Sequence, residues 1–120
     1  MRANQPPSGF TPLSAFVSRA PLVVSFTRKE LNAILSTYGA GVARGMWRDY
    51  AIDYLREAAV FSIFRRSSEM PLFRVEKHPK LARRQGAYSV IAATGLILKR
   101  GPDIKRVLGV LDKRTLTLVE

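Results

Sequence analysis

The chain has 120 residues, with 20 Lys and Arg against 9 Asp and Glu, so its formal net charge is +11 at pH 7. A hydrophobic content of 47% is that of a globular domain and excludes a disordered polar tail or a collagen-like repeat. Cysteine is absent, which removes thiol nucleophiles, thiolate metal ligands and disulfides, and the single histidine, His78, cannot build a two-imidazole metal site.

One domain is expected at this length. Residues 1–20 are rich in Pro, Ser, Asn, Gln and Gly and bury too little apolar side chain to offset the entropy of ordering, so they are expected to form a flexible arm before a single α+β domain over 21–120. Arg19 and Pro21 interrupt the apolar stretch that a signal peptide would need. The longest apolar run, Ala87 to Leu98, falls well short of the roughly 20 residues of a spanning helix. A cytoplasmic protein without a membrane partner is the expectation.

Leu22 to Phe26 is either a short first strand or a lead-in to the helix behind it. That helix is well marked. Thr27 and Glu30 have capping-box spacing, and Phe26 and Leu31 that of a hydrophobic staple. Leu31, Ile34, Leu35, Tyr38 and Val42 then trace one helical face, and Gly39, Gly41 and Gly45 are candidate terminators, with the end expected near Gly45.

Tyr50 to Lys77 reads as three antiparallel strands. Tyr50, Ile52 and Tyr54 alternate, Val60 to Arg66 is aromatic and β-branched, and Leu72 to Lys77 alternates again behind Pro71, with turns at 56–58 and 67–69. Residues 49–59 also admit a helix, which would leave a helix-turn-helix open; strand is the preferred reading. His78 to Gly86 is a basic loop. Ala87 to Arg100 is read as one strand, although its pattern also fits a buried helix. Pro102 and Asp103 suit the start of a last helix with Ile104, Val107, Leu108 and Leu111 on one face, and Thr115 to Val119 is expected to close as an edge strand. The fold class is therefore α+β: an antiparallel meander packed against two amphipathic helices.

Two stretches, WRDYAIDYLREAAVFSIFRR at 47–66 and PKLARRQGAYSVIAATGLILKRG at 79–101, resemble an uncharacterised alphaproteobacterial family of small basic proteins, a domain of unknown function (DUF2794). The resemblance covers roughly residues 22–120. It implies a bacterial setting and carries no activity and no site residues.

The charge is concentrated between residues 65 and 84, where Arg65, Arg66, Arg74, Lys77, Lys80, Arg83 and Arg84 face only Glu69 and Glu76. If the meander brings these cations to one edge, they form a phosphate-binding surface, since guanidinium groups match phosphate oxygens bidentately. Tyr50, Tyr54, Phe61, Phe64 or Phe73 would add base stacking if exposed, though as aromatics they suit the core better. No RNP signature, GxxG loop or zinc-finger spacing accompanies the charge. Nucleic acid and an acidic protein surface are thus equal candidate partners, with Trp47 and Arg48 as the anchor in the second case. A homodimer through the C-terminal strand is a further option.

Asp49, Asp53 and Glu57 recur every four residues but lie beside Arg48 and Arg56 and read as surface ion pairs, while His78 stands alone among cations. Catalysis ranks third, with no catalytic residue, metal site or cofactor expected.

Overall fold

At Thr27 the chain changes from extended to helical. The Thr27 Oγ accepts the Glu30 N–H at 3.1 Å, and the Glu30 carboxylate accepts the Thr27 N–H at 2.7 Å. This reciprocal pair satisfies two N–H groups that a first helical turn leaves unpaired. Helix α1 follows over Arg28–Ala43 in the computed structural model, which describes residues 22–66 and 69–119. The arm expected over 1–20 lies outside the described residues. Leu22 to Phe26 is the lead-in and not a strand; it is tied down where the Val24 N–H donates to the Leu55 carbonyl at 2.7 Å.

The helix ends as its glycines suggest. Gly45 adopts φ 76°, its N–H donates to the Val42 carbonyl, and the Met46 N–H reaches back to the Gly41 carbonyl, a Schellman closure that satisfies the last carbonyls. The buried face differs slightly from the expected stripe. Ile34 is fully buried, but Val42 is exposed, because Trp47 folds back over Gly41 and fills the place where the stripe would have continued.

The meander has five strands in sequential order: β1 (Asp49–Tyr54), β2 (Ala59–Phe64), β3 (Phe73–Lys77), β4 (Tyr88–Ala92) and β5 (Ile97–Gly101), each antiparallel to the next. The helical alternative for 49–59 is not adopted, since alternation places Tyr50, Ile52 and Tyr54 beside Ile63, Phe61 and Ala59 on one face. The single strand expected over 87–100 is corrected to a hairpin. Gly95 takes φ 92°, which residues with a Cβ rarely adopt, and its turn is closed by Ala92 N–H donating to the Leu96 carbonyl at 2.8 Å. A register shift beside Val90 and Ile91 follows in the ladder.

Helix α2 spans Ile104–Val119, so the C-terminal edge strand is a second correction. No glycine or proline follows Leu111 to break the helix, and Leu118 stands two helical turns after it in the sequence, so the helical period does not have to end at Leu111. The proposed dimer through that strand loses its element. Asp103 starts the helix by accepting the Lys105 N–H at 3.0 Å.

Both helices pack on one face of the sheet. Phe26 and Ile34 from α1 and its lead-in, Val107, Leu108 and Leu111 from α2, and Phe61, Ile63, Phe73, Val75 and Val90 from the strands enclose the core with Trp47. No helix among the described residues is long and apolar enough to cross a membrane.

Candidate nucleic-acid interface

In a meander, alternate turns share an end of the sheet. The register pairs Tyr54 with Ala59, Ala59 with Lys77, Lys77 with Tyr88 and Tyr88 with Gly101, so the β1–β2 turn, the β3–β4 loop and the end of β5 lie together. The β2–β3 connection, which carries Arg65 and Arg66, is at the opposite end. The seven cations of residues 65–84 therefore do not converge. Six of them divide into two groups separated by the length of a strand, about 17 Å for five residues, and Arg74 lies within β3.

At the first end, Lys80, Arg83 and Arg84 are exposed around a 3-10 turn over Pro79–Leu81. Arg56 from the β1–β2 turn joins them, and the two loops are linked by Lys80 and Glu57 at 3.6 Å, a pair exposed enough to contribute little. Arg100 at the end of β5 is held to the same loop through a hydrogen bond to the Gln85 side chain at 2.5 Å. Arg56 and Arg100 were not among the residues singled out from sequence. The turn position of Arg56 was the available signal, since a turn between the first two strands must share an end with the loop after the third.

Lys77 lies at this end but faces inward. Its ammonium donates to the Ser25 carbonyl at 2.9 Å and to the Glu30 carboxylate at 2.8 Å, and its side chain is only 15% exposed. Tyr88 donates its hydroxyl to the other Glu30 oxygen. Burial pushes the Glu30 carboxyl up, but the bonds from Lys77, Tyr88 and the Thr27 N–H outweigh it and hold the group below the ordinary glutamate range. Burial and the Glu30 carboxylate together push the Tyr88 phenol up to about 12. This cluster clamps the start of α1 to β3 and β4, and Lys77 is structural in it.

Arg74 is likewise engaged. It faces away from the helices and binds Glu76 at 2.9 Å, while the His78 ring meets the other Glu76 oxygen at 2.8 Å. Burial raises the Glu76 carboxyl, and the bonds from His78 and Arg74 more than reverse it. On the same face Ser89 is fully buried, and its hydroxyl has no partner among the described residues.

At the second end, Arg65 and Arg66 are exposed after β2, and Arg48 precedes β1 with its N–H on the Phe64 carbonyl at 2.9 Å. Arg44, the residue that closes α1, is also exposed here. Trp47 is 2% exposed and stacks on Tyr38, so it belongs to the core and offers a partner no surface; Arg48 beside it remains exposed. Asp49 and Asp53 share one face of β1, and Glu57 sits in the turn toward Lys80, so the three carboxylates do not gather. Among the aromatics, Phe61 and Phe73 are core and Phe64 is half-buried, whereas Tyr50 and Tyr54 are exposed.

The family model described as "Protein of unknown function (DUF2794)" matches residues 24–108, which takes in α1, the whole sheet and the first turn of α2. The chain belongs to this family. The match includes both basic ends and the Glu30 clamp, so every feature of the candidate interface falls within the shared domain of DUF2794. No curated protein and no solved structure matches the chain.

Proposed function

We propose that this protein binds nucleic acid through its phosphates, with Lys80, Arg83 and Arg84 as the principal contacts and Arg56 and Arg100 beside them. The observation that carries the reading is the strand register, which brings cations from three separate stretches of chain to one end of the sheet. Glu57 is the acid in contact with them, and Asp103 nearby is engaged by the Lys105 N–H. Several guanidinium groups without a carboxylate partner among the described residues suit the closely spaced charges of a phosphate backbone better than an isolated anion. A cytoplasmic location accords with such a ligand. An acidic protein surface is the alternative occupant, and it ranks second because the tryptophan that would anchor it is buried.

The test is titration of the purified protein with labelled nucleic acid over a range of salt. Affinity should fall linearly on a log–log plot, and the double change Arg83→Glu and Arg84→Glu should weaken binding and flatten the slope by about 0.7 to 0.9 for each phosphate contact removed. Affinity unchanged by the double variant would exclude this end of the sheet. Binding that instead survives nuclease treatment on a defined acidic protein would favour the second reading.

A further inference from the structure

The two basic ends are joined by one feature of the surface. Strand β1 is an edge of the sheet, entered from Arg48 and left toward Arg56, and it spans about 20 Å at about 3.4 Å per residue. Helix α1 lies on the same side in the opposite sense. Its first turn is clamped at the Lys77 and Leu55 end, and its last turn, closed at Arg44, is covered by Trp47, the residue before Arg48. Between the two basic ends, on the helix-facing side of β1, stand Tyr50 and Tyr54, four residues apart and 47% and 42% exposed.

These rings are exposed but not loose. One face of Tyr50 stacks on Phe61 with centroids 4.9 Å apart and planes at 11°, and Tyr38 meets it edge-on at 5.1 Å. Tyr54 is braced edge-on by Phe26 at 6.2 Å. A ring held from behind, with its outer surface open, loses little side-chain entropy when a base stacks on it. Half-exposed tyrosines also keep apolar area in water, which stacking would remove. Every base has a π-face, so such a platform accepts any sequence, but only if the bases are unpaired. In duplex DNA the faces are already stacked on one another.

We infer that the α1–β1 side of the molecule is a platform for single-stranded nucleic acid, on which Tyr50 and Tyr54 stack bases while phosphates are held by Arg44 and Arg48 at one end and Arg56 at the other. This inference rests on the phosphate-binding reading and names its ligand class. Asp49 and Asp53 lie on the opposite face of β1 by strand alternation, so the backbone of the ligand must pass on the helix side, and these two acids set an electrostatic limit on how tightly it is held.

The test compares a short oligothymidylate with a duplex of equal length at one salt concentration, by fluorescence anisotropy. The single strand should bind about tenfold more tightly or better. Tyr50→Leu and Tyr54→Leu keep apolar bulk against Phe61 and Phe26 and delete the phenol ring; each should weaken the single strand by about tenfold and leave the duplex unchanged, with Tyr→Phe at the same site restoring affinity. Asp53→Asn, which removes a repelling charge without touching the core, should tighten the single strand. Equal affinity for both probes, insensitive to the tyrosine changes, would overturn the platform and leave the phosphate reading standing. Failure of both probes to bind would overturn the two together, and oligomers formed by the wild type but lost in Tyr54→Leu would assign the exposed rings to self-association instead.

Discussion

The two ends of α1 are fastened by different physics. At its start, one carboxylate takes bonds from a backbone N–H, an ammonium and a phenol, so Glu30 is at once the capping residue of its own helix and the acid that ties it to β3 and β4. At its end the described residues show no comparable side-chain polar contact: a tryptophan ring lies against a glycine, with Tyr38 stacked on it and Phe73 edge-on to it. The first attachment depends on charge and direction and so responds to pH. The second depends on shape alone and responds to the loss or addition of single carbon atoms. Each can be broken without touching the other.

The largest effect is expected at the packed end. Trp47→Ala removes a fully buried ring from the centre of the core and should cost about 3–5 kcal/mol in urea unfolding. Trp47→Phe should recover much of that, because the indole N–H has no acceptor among the described residues and its loss removes an unsatisfied donor. A small loss in the alanine variant would mean that the end of α1 is held by its Schellman closure and not by the ring.

At the polar end Glu30→Gln leaves Lys77 without its counter-charge. The pair is mostly but not wholly out of water, with side chains 15% and 11% exposed, so the cost should lie below that of a fully buried pair, about 2 kcal/mol. The sign with pH is fixed by linkage. Glu30 and Glu76 are both held below the ordinary glutamate value, so their contribution is fully present above the unfolded pKa of about 4.3 and is lost as pH falls through their lower folded values. Tyr88 acts in the opposite direction: its contribution is complete below the unfolded value of about 10 and is lost as pH rises toward a folded value of about 12. Thermal melts of Glu30→Gln should show a shallower acid limb, with the remainder removed by Glu76→Gln. An unchanged acid limb in the double variant would place the pH dependence elsewhere.

These two fastenings were unequally legible in the sequence. The capping box was visible because Thr27 and Glu30 are three residues apart, and local spacing is enough to read a local motif. The other partners of Glu30 lie 47 and 58 residues away, beyond any local pattern. Yet Lys77 carried a signal: Phe73, Val75 and Lys77 share strand parity, so a sheet that buries the first two turns the lysine inward as well. Similarly, the separation of Arg65 and Arg66 from Lys80, Arg83 and Arg84 follows from counting turns in a meander, and linear charge density concealed it. The hairpin at Gly95 and the helical C-terminus were missed for the opposite reason: a small-residue turn was outweighed by β-branched composition, and the local alternation Thr115-Leu116-Thr117-Leu118 has the period of a strand although the helix runs through it. Trp47 was weighed in the sequence as a partner's anchor, and nothing local showed that Gly41 would be its seat.

That seat provides the finest test of the comparison, because α1 contains a second glycine two residues earlier. A Cβ at Gly39 would meet nothing within 4 Å, whereas one at Gly41 would come within 2.1 Å of the Trp47 ring. Helix propensity favours alanine equally at both positions, by about 0.5–1 kcal/mol. Gly39→Ala should therefore stabilise the protein by that amount. Gly41→Ala should turn the same gain into a net loss of about 1–3 kcal/mol, because the ring must shift within a packed core. In a Trp47→Ala background the clash has no partner, and the two alanine substitutions should then become equivalent. If Gly41→Ala is stabilising beside an intact Trp47, the ring has room to move, and the packed end of α1 is looser than the contact between glycine and tryptophan requires.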